Sequence, residues 1–275
     1  MYVEQNNRTI SMAKVRDLSL RVYNERQLNE ITEDRINYAA TKILPAGKFT
    51  YNARGWQPNE YKGYAIVSML NNNPGNESLT DLLIDIQEEL QQNLQPLYGF
   101  YMLPADSFHQ TIANTLSADG YKENILHAGL DELYPDMVAS AFTKIFMMKQ
   151  LSPIRMRIVG LSIMGTAICA LGTFEIDADY NRIVNFRAGF YEDKQLADLD
   201  IKMTRPFIGH ITLGYIEHKF NINQKVHLAN ILNELNDQLF LKRHYFNISH
   251  TELRGYDHLA EFKTAADFPV YKFTL

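Results

Sequence analysis

Cysteine is almost missing from this chain of 275 residues: Cys169 stands alone. No intrachain disulfide can form, and no thiolate cluster can hold zinc or iron–sulfur, so a metal site would need histidine and carboxylate. An excess of basic charge is missing too. Lys and Arg total 27 against 32 Asp and Glu, a net charge of -5. That balance gives no pull toward an extended nucleic acid, while a short nucleotide stays open as a ligand. No Gly-rich phosphate loop occurs, which argues against an ATP-dependent enzyme. The N-terminal MYVEQNNRTI is polar with no apolar run behind it, so no secretory signal is read and a cytoplasmic location is expected. The uncharged stretch from Ile158 to Phe174 covers 17 residues, short of the roughly 20 that a membrane helix needs. It contains Gly160, Gly165 and Gly172 and fits two buried strands turning at Gly165, so no membrane partner is expected.

What is present reads as a folded protein, with 46% hydrophobic and 21% charged residues. Residues 19–42 have sparse apolar positions at helical spacing and are expected to form a helical appendage, with 1–58 as an N-terminal extension. Pro45, Gly47, Asn52, Gly55 and Pro58 mark a loop. From there the pattern alternates: a strand at 64–70, a turn NNNPGNES with an N-cap at Ser78, a helix to Pro96, and strands at 98–103 and 108–113. A long polar loop is expected at 114–134 and a helix at 135–150. A hairpin at 154–164 and 167–176 precedes a helix at 179–197. The last elements are a strand at 207–216, a helix at 224–241, and strands at 244–254 and 268–274. No Gly/Ser linker divides residues 59–275, which gives one α+β unit in two lobes.

Two strings repeat in the same context: SFHQTI at 107–112 and IGHITL at 208–213. Each is His, any residue, Thr. In a strand, side chains two apart share a face about 6.6 Å apart, so each string pairs an imidazole with a hydroxyl. Together they can move a proton and hold an anionic oxygen, the two tasks at a phosphoryl or acyl centre. A single triplet is expected about 0.4 times by chance in such a composition, so the shared strand context carries the signal.

With PADSFHQTIAN, RPFIGHITLGY and the intervening PIRMRIVGLSIMGTAICALGTFEI, the chain resembles the 2H phosphoesterase superfamily, nearest to a poorly characterised prokaryotic branch, over roughly residues 60–255. The resemblance implies a two-lobed, pseudo-symmetric α+β fold with antiparallel sheets flanked by helices. It also implies a hydrolase that needs no metal and no cofactor and opens a 2′,3′-cyclic phosphate or a 2′-5′ linkage in a small nucleotide or an RNA 3′ end. Carried over residue by residue, His109 and His210 are the acid/base pair and Thr111 and Thr212 the donors to phosphate oxygens.

Departures accompany this likeness. Gln110 and Asn114 are polar where the first motif's strand is more often apolar. Gly214 and Tyr215 stand where the family often has a basic residue. Arg205 or Lys62 is therefore expected to supply phosphate-binding charge. Tyr64, Tyr215, Tyr101 and Trp56 are aromatic candidates for stacking on a base, against core packing as the plainer fate. Tyr215 is the best placed, facing the same side as Thr212 if the strand continues. The remaining histidines match no common metal motif, and Cys169 reads as a small hydrophobe. Two rivals remain: a binding protein that senses a nucleotide or RNA end on the same fold, and a metal-dependent phosphatase.

Overall fold

A computed structural model describes residues 15–94, 99–147 and 149–275. The polar N-terminal ten residues, and the element ends expected at Pro96 and Tyr98, lie outside that range. The N-terminal segment forms α1 (Leu20–Glu30) and α2 (Glu33–Lys42). Glu33 and Asp34 in the first turn of α2 favour a fresh helix start there, which breaks the single helix expected. The segment does not stand apart as an appendage. Ile36, Ala40 and Ile43 follow helical spacing, and with Tyr23 they are buried in the main core.

Residues 45–58, expected as loop, contain the hairpin β1 (Phe49–Asn52) and β2 (Gly55–Pro58), turning at Gly55 with φ of +88°. Four-residue strands are too short to show a clear alternation. Next come β3 (Gly63–Met69), α3 (Glu77–Leu94), β4 (Phe100–Met102) and β5 (His109–Ser117). The expected loop at 114–134 is instead the end of β5, then α4 (Ala118–Tyr121) and a wide helical turn at 122–126. Tyr121 and Ile125 are buried there, and Asp131 accepts the hydroxyls of Tyr64 and Tyr121. The chain continues with α5 (Tyr134–Lys144), β6 (Ile154–Met164), β7 (Ala167–Thr173), α6 (Asp177–Tyr191) and α7 (Lys194–Asp198). It ends with β8 (His210–Ile216), α8 (Ile222–Leu239), β9 (His244–Ile248), β10 (His250–Tyr256) and β11 (Val270–Lys272). The uncharged run 158–174 is the β6–β7 hairpin, turning at Gly165 with φ of +67°. Among the described residues no helix is long and apolar enough to cross a membrane.

Nine strands form one antiparallel sheet in the order β11-β10-β3-β5-β8-β7-β6-β9, with β4 added on β8. The two halves meet at β5 and β8, which gives the two-lobed α+β architecture. The expected strand 244–254 is broken at Ser249, because β9 lies at one end of the order and β10 near the other. In a flat sheet these positions would be about 29 Å apart at roughly 4.8 Å per strand. One intervening residue spans about 7.6 Å of Cα trace, so the sheet must curl until its ends meet at this corner. The buried asparagines of the NNNPGN turn brace it. Asn73 Oδ1 accepts from the Ser249 and His250 amides, and Asn76 bonds both the amide and the carbonyl of Asn247.

One face of the sheet packs Ile66, Ile112, Ile211 and Leu213 against α3, α6 and α8 in the main core. The opposite face carries two smaller apolar clusters, Ala65–Val67–Met69 on β3 and Ala167–Cys169–Leu171 on β7. The motif strands β5 and β8 lie between them.

Candidate active site

Strand parity decides which side chains meet. Gln110 and Ile112 are fully buried, so His109 and Thr111 face the opposite side, where Met69 and Val67 are their cross-strand partners. On β8, His210 stands opposite Leu171 and Thr212 opposite Cys169. Gln110 pairs with Ile211 across the seam. In that antiparallel register each histidine is set opposite the threonine of the other motif. All four expected catalytic residues therefore share one half-buried face between the two small clusters.

The two imidazoles are held alike. His109 Nδ1 lies 2.7 Å from the carbonyl of Ser107, and His210 Nδ1 lies 3.1 Å from the carbonyl of Ile208. A carbonyl can only accept, so Nδ1 carries the proton and donates it, leaving Nε2 with a free lone pair in the neutral ring. Burial pushes His109 down to about 4, partly opposed by the Ser107 bond and helped by His210. Burial also lowers His210, with the Ile208 bond opposing and the nearby Arg205 charge adding to the fall. The Cys169 sulfur lies 3.6 Å from the Thr212 hydroxyl, and burial pushes its thiol up to about 12, so it stays protonated. Among the described residues no group of three His, Cys, Asp or Glu is placed to hold a metal ion.

Of the expected binding residues, Tyr215 reaches the motif face by an irregularity. It stands three residues beyond Thr212, which in a regular strand sets the two on opposite faces. The β7–β8 register slips by one between Cys169–Thr212 and Ile168–Gly214, and after this bulge Tyr215 faces Ala167 and packs on that cluster. Tyr101 and Phe49 adjoin it, and Trp56 packs edge-on to Tyr101. Arg205 is exposed in the segment before β8, close enough for its charge to act on His210. Tyr64 is not at the site. Its position in β3 is one out of phase with Ala65 and Val67, so it enters the main core and gives its hydroxyl to Asp131. Lys62 lies 3.8 Å from Asp257.

Other residues at the site went unread in the sequence. Gln110 Nε2 donates to the Ile208 carbonyl at 3.1 Å and to the Thr111 carbonyl at 2.7 Å, while Oε1 accepts the His210 amide at 2.6 Å. Its polarity, unexpected for this strand, is what joins the motifs. Tyr23 and Gln27 of α1 reach the strand that leads into His210. The Tyr23 hydroxyl donates to the Gly172 carbonyl and accepts the Gly209 amide, and Gln27 Nε2 donates to both carbonyls. Phe262 lies against His109 with ring centroids 4.1 Å apart. The only sequence signal was parity in β10, where Glu252, Arg254 and Tyr256 pair with Val67, Ala65 and Gly63 and so share the motif face.

No curated protein matches the chain. A family model described as 2H-phosphodiest, Domain of unknown function (DUF1868), matches residues 48–167, which include the first motif. Among solved structures, the conserved protein of unknown function ATU0111 from Agrobacterium tumefaciens superposes with a TM-score of 0.58 at 17% identity, over 88% of this chain and 99% of that one. TT0787 of Thermus thermophilus gives a TM-score of 0.39 at 14% identity, over 70% of this chain and 87% of that one. Over residues 48–167, which carry the first motif, the chain is thus similar to the 2H-phosphodiest family model, and over most of its length it shares the fold of ATU0111.

Proposed function

We propose that the protein hydrolyses a phosphodiester, a 2′,3′-cyclic phosphate or a 2′-5′ linkage of a small nucleotide or an RNA 3′ end, by paired histidine acid/base catalysis without a metal. The observation that carries this reading is the shared face of His109, Thr111, His210 and Thr212, with each imidazole fixed through Nδ1 and open at Nε2. The family match supports the coarser statement, a phosphoesterase-type activity.

In this scheme the phosphorus sits between the two rings. One neutral imidazole takes a proton from water as the water oxygen bonds to phosphorus. The other, protonated, gives its proton to the ribose oxygen as the P–O bond breaks. Thr111 and Thr212 donate to the non-bridging oxygens, where charge accumulates in the transition state. Arg205 adds positive potential at the His210 side, and Tyr215 lines the Thr212 side. Burial leaves both free imidazoles neutral at neutral pH, and the bound phosphate anion restores proton affinity to the ring that acts as acid.

The test is incubation of the purified protein, in EDTA, with 2′,3′-cyclic nucleotides, RNAs ending in a cyclic phosphate, and 2′-5′ oligoadenylates. Product formation that falls at least about 100-fold in both His109→Ala and His210→Ala supports the scheme. Binding without product would favour a sensor, and activity abolished by EDTA a metal-dependent route.

A further inference from the structure

A cavity of about 240 Å³ opens beside the first histidine. Three of its walls are groups that contact or pair with His109: Met69 across β3, Ser107 whose carbonyl holds Nδ1, and Phe262 against the ring. It lies on the β3 and β10 side, away from β8. A substrate centred between the two histidines would extend one arm past His109 into it.

The walls select what that arm can be. Arg254 is the cavity's cation, but it is committed: Nη2 donates to Glu252 at 2.8 Å and Nη1 to the Phe262 carbonyl at 3.2 Å. Asn72 Nδ2 donates to the same Glu252 oxygen at 3.1 Å. Asp106 and Glu261 add two carboxylates at the rim. With the cation balanced by Glu252 and these carboxylates in excess, a second phosphate is repelled. Phe262 and Met69 offer an apolar surface, and Asn71 and Asn72 offer amide groups. Phe262 is also fixed, because Lys263 and Gly255 exchange backbone hydrogen bonds beside it. Arg254 is over nine-tenths buried, and its Nε has no hydrogen-bond partner among the described residues. The volume lies just below the roughly 300 Å³ at which ligand pockets begin, and leaves room for one base rather than two.

We propose that this cavity is a nucleoside subsite, in which the base of the substrate packs on Phe262 and meets the amides of Asn71 and Asn72. The inference rests on the phosphodiesterase reading above, and it places the substrate's nucleoside arm on the His109 side rather than on the Tyr215 side.

The experiment uses the full chain and compares nucleoside 2′,3′-cyclic phosphates with glycerol 1,2-cyclic phosphate, which keeps the phosphorus centre and lacks the nucleoside. It measures wild type, Phe262→Leu, Asn72→Ala and Tyr215→Leu, alongside calorimetric titration with the four free nucleosides. A base–aromatic stack is worth about 1–3 kcal/mol, so Phe262→Leu is expected to raise KM for nucleoside substrates on the order of tenfold. Because the Phe262 ring packs on His109, the variant is read as a ratio of substrates: kcat/KM for nucleoside substrates is expected to fall about tenfold further than kcat/KM for glycerol 1,2-cyclic phosphate. Asn72 is exposed, and its variant gives the same split should Phe262→Leu fail to fold. Equal loss on both substrates, or a KM effect confined to Tyr215→Leu, overturns the subsite. If no diester is turned over at all, the catalytic reading fails, and the titrations still decide the subsite. Nucleoside binding weakened by Phe262→Leu supports it, and no binding overturns it.

Discussion

Gln110 accepts the backbone amide of His210 at 2.6 Å, so the residue inside the first motif holds the first residue of the second. Among the described residues one backbone pair, Gln110 with Ile211, sets the β5–β8 register. The glutamine side chain stands in for the missing ladder by bonding the Ile208 carbonyl as well. Gln27 and Gln87 act alike nearby, each joining two carbonyls on neighbouring segments of the sheet. Where strands splay to leave room for a substrate, a buried amide with both donors and acceptor can bridge what a peptide group cannot reach.

Replacing Gln110 by Leu keeps the volume and removes the bridge. The buried His210 amide would lose its side-chain acceptor, at about 1–3 kcal/mol, while the Ile208 carbonyl keeps the bond from His210 Nδ1. Thermal unfolding is expected to drop by several degrees, and kcat to fall more than KM rises, because the histidines lose their mutual register. Unchanged kcat in a destabilised but folded variant would count against this role.

The threonines give a cleaner separation of chemistry from fold. Thr111→Val and Thr212→Val keep shape and β propensity but remove the hydroxyl that the proposed scheme assigns to the non-bridging oxygens. Each is expected to lower kcat by about 100-fold with a small change in KM. Steady-state kinetics on the substrate found in the panel would show it.

The pH dependence follows from burial of the imidazoles. The base must be deprotonated, which holds above its pKa, and the acid protonated, which holds below its own. With His109 near 4 and His210 also below 6.5, the bell in kcat/KM, which reports the free protein, is expected to peak on the acid side of pH 6.5. The kcat profile should lie at higher pH, because bound phosphate raises the acid's proton affinity. A kcat/KM optimum at or above pH 7 would refute this account.

Tyr23 tests whether α1 is part of the catalytic framework. Its hydroxyl is the buried partner of both the Gly209 amide and the Gly172 carbonyl, and a Cβ added at Gly209 would overlap it. Tyr23→Phe removes only an oxygen and is expected to cost about 1–3 kcal/mol, read in a urea melt. Gly209→Ala should be worse, since α1 or β8 must shift next to His210.

How much of this was legible depended on whether the signal was local. The pairing of His109–Thr111 with His210–Thr212 was readable, because period-two alternation fixes a strand's faces and both triplets lie in apolar runs. Tyr64 was misplaced because its aromatic character was weighed without its parity relative to Ala65 and Val67. Tyr215 was expected beside Thr212 by period two, but it stands three residues on, so a regular strand turns it away, and only the bulge after Thr212 brings it to that face. The N-terminal helices looked peripheral because their apolar residues are few. Tyr23 and Gln27 act there through hydrogen bonds to carbonyls some 150 residues away in sequence. The Phe262 wall depends on the order of nine strands, which propensity does not encode.

Arg187 offers the sharpest test of how the approach to the second motif is held. It is 2% exposed and donates Nε to Asp17 at 2.8 Å, Nη1 to the Ile112 carbonyl at 2.6 Å and Nη2 to the Arg205 carbonyl at 3.0 Å. Asp17 in turn accepts the Phe207 amide. One guanidinium thus links the strand after Thr111 to the segment that delivers His210. Arg187→Leu leaves the Asp17 carboxylate buried without its cation, at an expected cost of about 3–5 kcal/mol. Asp17→Asn in that background removes the stranded charge and keeps an oxygen for Phe207. The double variant is therefore expected to recover stability, while the Ile112 and Arg205 carbonyls still lack their donor. Activity should then recover less than stability does. Full recovery of both would mean that Arg187 serves only to neutralise Asp17 and not to position the second motif.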